Sequence, residues 1–259
     1  MRGWWGELAG LVLPVDCAGC GADRVLLCAA CREALSGAAA GRVRPSPPPA
    51  GLPVVHAAAV YGDGVRAVLL AHKERGALPL AGALGAALAA AISSTGSGAG
   101  VGAGELALVP VPSARRRVRA RGHDPARRIA LAAAARLRRA GVPARVAPVL
   151  RLRRAVADQA GLGARQRREN LAGALAVCRD GARLTDGAAL VLVDDLITTG
   201  ATLAEAARAV RAAGLGAGAP GPASGSAPGI VLRAAVVAAP ADSFVRIRPT
   251  TPPEQNSSE

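Results

Sequence analysis

Two adjacent carboxylates, Asp194 and Asp195, stand between a short apolar run and a turn rich in hydroxyl groups. The run covers residues 190–193, and the turn consists of Thr198, Thr199, Gly200, Ala201 and Thr202. The run predicts a buried strand, and the capping-box spacing of Thr202 and Glu205 predicts that a helix begins at Thr202. A strand end, a turn and a helix N-terminus place backbone N–H groups and the positive end of the helix dipole around an anion. Because paired carboxylates accept the two hydroxyl protons of a vicinal diol, the segment predicts a site for a sugar phosphate.

Two other interpretations of this segment are weaker. A buried strand followed by an ordinary capped turn would explain the apolar run, but not two adjacent carboxylates, which are costly to bury without partners. The strand and acidic pair of an ATPase would also fit, but an ATPase needs a phosphate-binding loop that contains Gly-Lys-Ser or Gly-Lys-Thr. Lys73 is the only lysine in the chain and is flanked by His72 and Glu74, so the sequence excludes the ATPase.

Four cysteines near the N-terminus form a C-x2-C-x7-C-x2-C pattern, namely Cys17, Cys20, Cys28 and Cys31. Each pair can provide two ligands of a tetrahedral zinc site, and a four-thiolate site is closed and structural. The spacer between the pairs is shorter than the roughly 12–20 residues of common zinc sites. A redox dithiol and two buried pairs stay open as alternatives, although a thioredoxin-type motif would follow a strand and would not be duplicated. Cys178 stands alone and is predicted to be a small core residue.

Composition limits the classes of protein that fit this chain. It has 259 residues, of which 51% are hydrophobic and 2% aromatic, and its net charge is +14. This length and composition suffice for one α/β domain with appendages. The positive charge favours polyanionic partners, either nucleic acid or phosphate-rich small molecules. The scarcity of aromatic residues disfavours a single-strand binder that depends on base stacking.

Segments rich in Gly, Pro, Ser and Ala divide the chain. They predict an N-terminal zinc-knuckle module over residues 1–35, a linker over 36–53, a main domain over 54–239 and a disordered tail over 240–259, with loops at 93–104 and 214–229. In the main domain, strands are predicted at 54–60, 106–111, 145–150, 190–193 and 230–238, and helices at 64–75, 78–92, 125–140 and 203–213. This alternation predicts an α/β fold in which helices flank a mostly parallel sheet.

Neither of two apolar stretches predicts a targeting or membrane segment. Residues 8–15 are interrupted by Gly10 and Pro14 and lack a strongly basic start, so no secretory signal is predicted. Residues 77–92 fall short of the about 20 residues that span a bilayer, and they predict a helix against the core. We therefore expect a cytoplasmic protein without a membrane span.

The segment at residues 190–202 resembles the 5-phosphoribosyl-1-pyrophosphate (PRPP) motif of type I phosphoribosyltransferases. Together with the preceding cysteine pattern, it resembles the ComF family, which is associated with competence and DNA uptake in bacteria. Three further segments support this resemblance, which extends over about residues 11–237. They are Tyr61, Gly62, Asp63, Gly64, Val65 and Arg66 with Lys73 and Gly76; Val109, Pro110, Val111 and Pro112 with Arg117, Arg121 and Gly122; and Gln159, Arg167, Asn170 and Gly173.

The resemblance implies a type I phosphoribosyltransferase-like fold and a set of PRPP ligands. The implied PRPP-binding residues are Lys73, Arg117, Arg121, Asp194, Asp195, Thr198, Thr199, Gly200, Ala201 and Thr202, of which Asp194 and Asp195 are also the catalytic pair. The acidic pair would hold the ribose hydroxyls, and the threonine-glycine turn would wrap the 5′-phosphate. Residues 112–122 correspond by position to the pyrophosphate-binding loop, where arginines would neutralise the diphosphate. Mg²⁺ would be bound mainly by PRPP oxygens and water.

One segment departs from the family pattern. After Arg121 and Gly122, the family has Phe-Asn-Gln, whereas this chain has His123, Asp124 and Pro125. Asp124 is a good N-cap and Pro125 suits the first turn of a helix. The exchange removes an amide pair that could touch substrate, which puts unchanged acceptor chemistry in doubt. A lone histidine in a basic loop is more often solvated than catalytic, so the sequence favours a solvated His123 over an acid/base group.

Three functions stay open from the sequence. The first is a phosphoribosyltransferase that transfers the phosphoribosyl group from PRPP to an unknown acceptor and releases pyrophosphate. The second is a non-catalytic protein that binds PRPP and single- or double-stranded DNA, because ten arginines lie between positions 115 and 139 and Arg128, Arg136 and Arg139 can form a basic stripe on one helix. The third is a degenerate fold kept for protein contacts, which the intact acidic pair and threonine turn disfavour.

Overall fold

The computed structural model describes residues 16–97, 104–154, 156, 163–215 and 232–245. The described helices are α1 (Ala29–Glu33), α2 (Asp63–Glu74), α3 (Ala81–Ile92), α4 (Arg115–Arg121), α5 (Pro125–Arg139), α6 (Ala164–Leu171), α7 (Gly181–Thr185) and α8 (Ala201–Ala212). The described strands are β1 (Gly41–Val43), β2 (Val54–Val60), β3 (Glu105–Pro110), β4 (Ala144–Val146), β5 (Leu150–Leu152), β6 (Leu175–Val177), β7 (Ala188–Leu196) and β8 (Arg233–Ala239). Outside this description lie the apolar run 8–15, Gln159, residues 98–103 and 216–229 of the loops predicted at 93–104 and 214–229, most of the tail, and the side chains of Arg115 and Arg167.

Six strands form one sheet in the order β1-β2-β8-β7-β3-β4. Strand β1 is antiparallel to β2 at one edge, and the other neighbouring strands pair in parallel. Strands β5 and β6 form a separate antiparallel pair. Helices cover both faces of the large sheet. The predicted α/β class, with a mostly parallel sheet flanked by helices, is therefore confirmed.

The position of β7 inside the sheet explains why residues 190–193 are all apolar. Val191 and Val193 point into one hydrophobic cluster, which includes residues of α3 and α5, whereas Leu190 and Leu192 point into the other, which includes residues of α8. A strand that is covered on both faces needs apolar side chains at every position, not at alternate positions. The apolar run that predicted a buried strand is therefore the middle of the sheet.

Helices α3 and α5 pack closely on the first face of the sheet. Gly85 makes this approach possible, because a Cβ atom at that position would lie 2.4 Å from the Cβ atom of Ala132. Alanines at the contact, such as Ala133, serve the same purpose with the smallest side chain that still favours a helix. The Ala-rich composition of this chain thus corresponds to helices that lie close to one another.

The connections that follow β3 and β7 leave the sheet on opposite faces. Strand β3 continues through α5 to β4, and α5 packs on the first face. Strand β7, which neighbours β3, continues through α8 to β8, and α8 packs on the second face. The carboxyl ends of these two strands therefore flank a topological switch point, the place where open α/β sheets bind ligands.

Several local predictions differ from the structure. The strand predicted at 145–150 is divided between β4 in the large sheet and β5 in the small one, because the chain changes sheets at residues 147–149. The linker predicted at 36–53 contains β1, which adds an edge strand beside β2. The loop predicted at 112–122 contains the helix α4. Strand β6 and helices α6 and α7 were not predicted, since none of them is longer than eight residues.

One helical stretch, Leu78–Thr95, is long and apolar enough to cross a membrane by length and composition alone. Buried core helices satisfy the same criterion. Leu84, Leu88 and Ile92 of this stretch are almost fully buried in the hydrophobic core, together with residues of the sheet and of α5. These contacts are the ones expected of the predicted core helix, while the absence of a membrane span stays a prediction.

The cysteine-rich segment packs on the same core as the sheet. Cys17, Leu27 and Leu35 are buried in the cluster that contains Val65 and Val68 of α2. Within the described residues 16–35, this segment therefore shares its apolar core with the main domain.

Candidate functional site

The carboxyl ends of β3 and β7 open into a cleft of about 280 Å³. The predicted PRPP-binding residues that line this cleft are Lys73, Arg117, Arg121, Asp194, Asp195, Thr198 and Thr202. An apolar wall faces them, formed mainly by Val111, Leu152, Val156, Leu171 and Leu175. The fold therefore brings cationic, acidic and hydroxyl side chains from separate elements to one cavity at the switch point.

An ion pair joins the acidic and cationic parts of the cleft. The Lys73 ammonium, near the end of α2, donates a hydrogen bond to Asp195 Oδ2 across 2.6 Å. The Lys73 side chain is 33% exposed and that of Asp195 is 10% exposed. Burial acts to lower the pKa of Lys73, but the charges of Asp195 and Asp194 outweigh it and raise that pKa above its usual value. The lysine therefore stays positively charged beside the acidic pair.

Asp194 is the residue of the acidic pair whose charged form is disfavoured. Its Oδ1 accepts a hydrogen bond from the backbone N–H of Asp195 across 2.8 Å. Burial and the neighbouring charge of Asp195 raise the pKa of the Asp194 carboxyl well above its usual value, although Lys73 acts in the opposite direction. A ligand whose hydroxyl groups donate hydrogen bonds to these two close, partly buried carboxylates would stabilise their charged forms.

The turn after β7 has two sides. Thr198 and Thr202 line the cleft, whereas Thr199, Gly200 and Ala201 do not. Thr199 lines a smaller cavity of about 190 Å³ instead, and its hydroxyl oxygen accepts a hydrogen bond from Ala201 N across 3.5 Å. Gly200 has a φ of 74°, and a Cβ atom there would lie 3.2 Å from Leu52. Glycine is thus required at this position by backbone conformation and by packing.

The predicted capping box at the start of α8 is wrong. The helix has Gly200 at its N-cap, with no hydrogen bond from a side chain there. Glu205 is buried and turns away from the helix start, because its carboxylate accepts hydrogen bonds from Leu175 N and from the Arg208 guanidinium. Thr202 is therefore free to face the cleft with its hydroxyl group.

Helix α4 presents two arginines to the cleft. Arg117 and Arg121 are one turn apart on this helix, and both line the cavity. The Arg121 guanidinium also donates to Glu74 Oε1 across 2.5 Å. Gly122 ends the helix with a φ of 74°. The segment predicted as a pyrophosphate-binding loop is thus a short helix that holds its arginines in fixed directions.

Glu205, which the sequence assigned to a capping box, and Arg208, which the sequence did not single out, hold the apolar wall in place. Glu205 Oε1 accepts from Leu175 N across 3.0 Å, and Arg208 Nη2 donates to Leu175 O across 3.1 Å. Both backbone groups of Leu175 are thereby bound by side chains of α8. Burial acts to raise the pKa of Glu205, but hydrogen bonds from Arg208 and Leu175 outweigh it and lower that pKa. The spacing of Glu205 from Thr202 could be read from the sequence, but its contact with Leu175 could not be predicted from it.

The prediction of a solvated His123 is wrong. The ring is buried, with Nε2 lying 3.2 Å from the carbonyl oxygen of His72 and Nδ1 lying 3.1 Å from that of Arg121. The two histidine rings lie 5.5 Å apart. His123 does not line the cleft and instead connects α2 with the end of α4. Its contacts are structural, because the segment that contains His123 covers backbone carbonyl groups of Arg121 and His72, and buried carbonyl groups need hydrogen-bond partners.

The four predicted zinc ligands converge. The Sγ atoms of Cys17, Cys20, Cys28 and Cys31 all lie within 4.8 Å of one another, so they can hold one metal ion. The backbone N–H of Cys31 donates to Cys28 Sγ, and that of Cys28 donates to Cys17 Sγ. Amide donors of this kind stabilise thiolate ligands. Cys178 lies apart from them, half-buried against the second hydrophobic cluster.

Thiol acidity in this cluster is uneven. Burial acts to raise the pKa of the Cys17 thiol, but hydrogen bonds from the backbone amides of Cys28, Cys20 and Gly19 lower it to about 6. Burial and the neighbouring thiols raise the pKa of Cys31. A divalent cation would overcome the raised pKa of Cys31, because it binds all four sulfurs as thiolates. The donor set therefore fits zinc.

The cleft combines three kinds of groups that act on different parts of one ligand. Its carboxylates accept hydroxyl protons, its cations bind oxyanions, and its apolar wall excludes water from one side. Such a cleft can hold a molecule that carries both a diol and phosphate groups. No protein-family model and no curated protein matches this chain.

Proposed function

We propose that this protein binds PRPP and acts as a phosphoribosyltransferase, with release of pyrophosphate and an acceptor that is not yet identified. One observation carries the proposal: the acidic pair and the cations Lys73, Arg117 and Arg121 line one cleft at the switch point of the sheet. PRPP has a diol at the centre and charged groups at both ends, so it matches this order of groups. The resemblance of residues 190–202 to the PRPP motif supports the same assignment.

Each part of PRPP has a proposed partner. Asp194 and Asp195 accept hydrogen bonds from the ribose hydroxyls, which offset the burial and the repulsion by Asp195 that raise the pKa of Asp194. The turn residues Thr198 and Thr202, at the start of α8, receive the 5′-phosphate. Arg117 and Arg121 receive the pyrophosphate as bidentate donors. Thr199, Gly200 and Ala201 do not line the cleft, and in this proposal they shape the turn that presents Thr198 and Thr202.

The proposed reaction breaks the bond between ribose C1 and the pyrophosphate oxygen and forms a bond between C1 and an acceptor nitrogen, which then loses a proton. The bond electrons leave with pyrophosphate, so charge builds up beside the arginines as positive charge develops on the ribose. No nucleophilic side chain is needed. Arg117 and Arg121 stabilise the leaving group, and the acidic pair keeps the ribose in position. Mg²⁺ bound to PRPP oxygens would supply further charge neutralisation.

The type I phosphoribosyltransferase-like fold and membership of the ComF family belong to this proposal. Support comes from the mostly parallel sheet, from the site at the ends of β3 and β7, and from the four-cysteine cluster that precedes them. In this proposal the cluster binds one structural zinc ion, since a closed four-thiolate site leaves no coordination position for a substrate.

An acceptor screen for pyrophosphate release tests the proposed activity. The protein is incubated with PRPP, Mg²⁺ and nitrogenous acceptors, and released pyrophosphate is measured. We expect at least one acceptor to give turnover that Arg117→Gln reduces strongly and Arg116→Gln leaves nearly unchanged. Arg116 is the matched control, because it lies on the same helix and is exposed outside the cleft. Equal loss in both variants, or turnover that does not depend on PRPP, would contradict the proposal.

A second candidate function is PRPP-responsive DNA binding without catalysis. The observation that favours it is the exposure of Arg128, Arg136 and Arg139 along α5. Such a stripe would bind DNA with little sequence preference and with an affinity that falls steeply with salt. Replacement of these three arginines by glutamine should then weaken DNA binding and leave PRPP binding unchanged. Equal DNA affinity of parent and variant across a salt series would rule the stripe out.

A further inference from the structure

A second cleft, of about 410 Å³, lies on the other side of α4. Arg117 and Arg121 face the first cleft, whereas Val118 and Arg119 of the same helix face the second. The residues that line both clefts are Pro112, Ser113 and Leu152. The two cavities therefore share a wall at the point where β3 ends.

Three arginines from different elements converge on this second cleft. They are Arg119 of α4, Arg127 of α5 and Arg151 of β5. Within the described ranges of the chain, none of their side chains forms an ion pair or a hydrogen bond. Asp124 is the one carboxylate of the described lining, and its Oδ1 already accepts a hydrogen bond from the backbone N–H of Arg127. The cleft thus has an excess of positive charge.

The floor of the second cleft is apolar. It is formed by Pro110, Pro112, Val118, Pro148, Leu150 and Leu152. An apolar floor with a few polar groups at the rim is typical of a site for a small molecule, whereas nucleic acid is bound by extended basic surfaces. Arginine guanidinium groups fit phosphate and carboxylate oxygens in bidentate geometry. Both features together define a ligand with an apolar body and an oxyanion.

We propose that the second cleft binds a small organic anion, with its apolar body on the proline and leucine floor and its phosphate or carboxylate group among Arg119, Arg127 and Arg151. This ligand is the acceptor, an inference that rests on the proposed phosphoribosyltransferase function. Because Pro112 and Ser113 line both clefts, a molecule held in the second cleft would lie next to the ligand in the first. The substrate class is therefore an anionic acceptor whose charge lies away from its reacting nitrogen.

Titration with phenyl phosphate, followed by amide chemical shifts in nuclear magnetic resonance spectra, tests this cleft directly. We expect shifts at Val118 and Arg151, and tighter binding of phenyl phosphate than of inorganic phosphate because of the apolar floor. The variant Arg127→Gln with Arg151→Gln should weaken phenyl phosphate binding about tenfold or more, since it removes two charged donors. The control variant Arg128→Gln with Arg136→Gln removes the same charge from exposed positions of α5 that do not line the second cleft, and it should bind as the parent does.

The same spectra separate this inference from the proposed function. PRPP should shift the amides of residues 198–202, and its affinity should be unchanged in the second-cleft variant. If PRPP causes no shifts, the proposed function fails while the phenyl phosphate result still decides whether the cleft is an anion site. Absence of shifts at Val118 and Arg151, equal weakening in the control, or displacement of phenyl phosphate by an oligonucleotide that binds more tightly would overturn the inference. Acceptor turnover that survives in the second-cleft variant would overturn the acceptor role.

Discussion

The Lys73 ammonium lies 2.6 Å from the Asp195 carboxylate, although 122 positions separate the two residues in the sequence. The contact joins the end of α2 to the carboxyl end of β7 at the switch point of the sheet. It places a positive charge beside two carboxylates that would otherwise repel a phosphorylated ligand. The only lysine of the chain thus stands at the one place in the described cleft where acidic and cationic groups meet.

Lys73→Met should weaken PRPP binding about tenfold or more, because a hydrogen bond to a charged group contributes about 1.5–3 kcal/mol. The variant also leaves Asp195 without a partner in a largely buried position, which increases repulsion of the ligand. Calorimetric titration with PRPP measures the change. Arg66→Met is the control, since it removes one positive charge from an exposed position of the same helix. An equal effect of both substitutions would show that overall charge, not this contact, governs affinity.

Asp194→Asn should raise the free energy of unfolding at neutral pH, because the raised pKa of Asp194 means that its charged form destabilises the folded state. The gain is about 1.4 kcal/mol for each unit by which the pKa is raised. It should be complete above the folded-state pKa, shrink as the pH falls toward the unfolded-state value of about 4, and vanish below it. Denaturant unfolding across this pH range measures it, with the exposed Asp180→Asn as control. A destabilised Asp194→Asn variant at pH 7 would contradict this account.

Metal analysis should find one zinc ion per chain in the parent and in Cys178→Ser, but not in Cys20→Ser. Cys20 is exposed, so its replacement tests metal binding without disturbing the core. Chelation should lower the melting temperature, because Cys17 and Leu27 pack in the same core as α2. A full equivalent of zinc in Cys20→Ser, or an unchanged melting temperature after zinc removal, would argue against a four-cysteine structural site.

Glu205→Ala should destabilise the protein by about 1–3 kcal/mol, since it leaves Leu175 N without its buried acceptor. The pKa of Glu205 is lowered in the folded state, so its contribution to stability is present above the unfolded-state pKa of about 4.3 and is lost as the pH falls through the folded-state pKa. Urea unfolding at pH 7 and at lower pH measures both effects. Glu169→Ala, which breaks an exposed pair with Arg165, should change stability by less than about 1 kcal/mol. Similar losses in the two variants would contradict the role of Glu205.

Part of the fold and of the candidate cleft could be predicted because the chemistry is local. The apolar run before Asp194 marks a strand buried on both faces, and the strand and helix alternation marks a parallel sheet. The pairs Cys17–Cys20 and Cys28–Cys31 need only short spacings to converge. Arg117 and Lys73 were assigned by resemblance, and the fold brings both to the cleft.

The remaining features depend on contacts between distant segments. Glu205 has the spacing of a capping residue, but its carboxylate binds Leu175 because β6 packs beside α8, which no local pattern reveals. His123 lies in a basic stretch that would be solvated alone, and it is buried because the stretch folds over α2. Arg127 and Arg151 are ordinary surface residues in the sequence, and they line one cleft only because the chain leaves the large sheet after β4 and forms β5.

Calorimetric titration of PRPP, with and without Mg²⁺, into the parent protein and Asp195→Asn tests the central claim most directly. We predict one PRPP bound per chain of the parent, with higher affinity in Mg²⁺, and binding at least about tenfold weaker in Asp195→Asn. The exposed control Asp180→Asn should bind as the parent does, and thermal melting of each variant checks that the fold is intact. No binding by the parent, or equal affinity in parent and Asp195→Asn, would contradict the assignment of this cleft to PRPP.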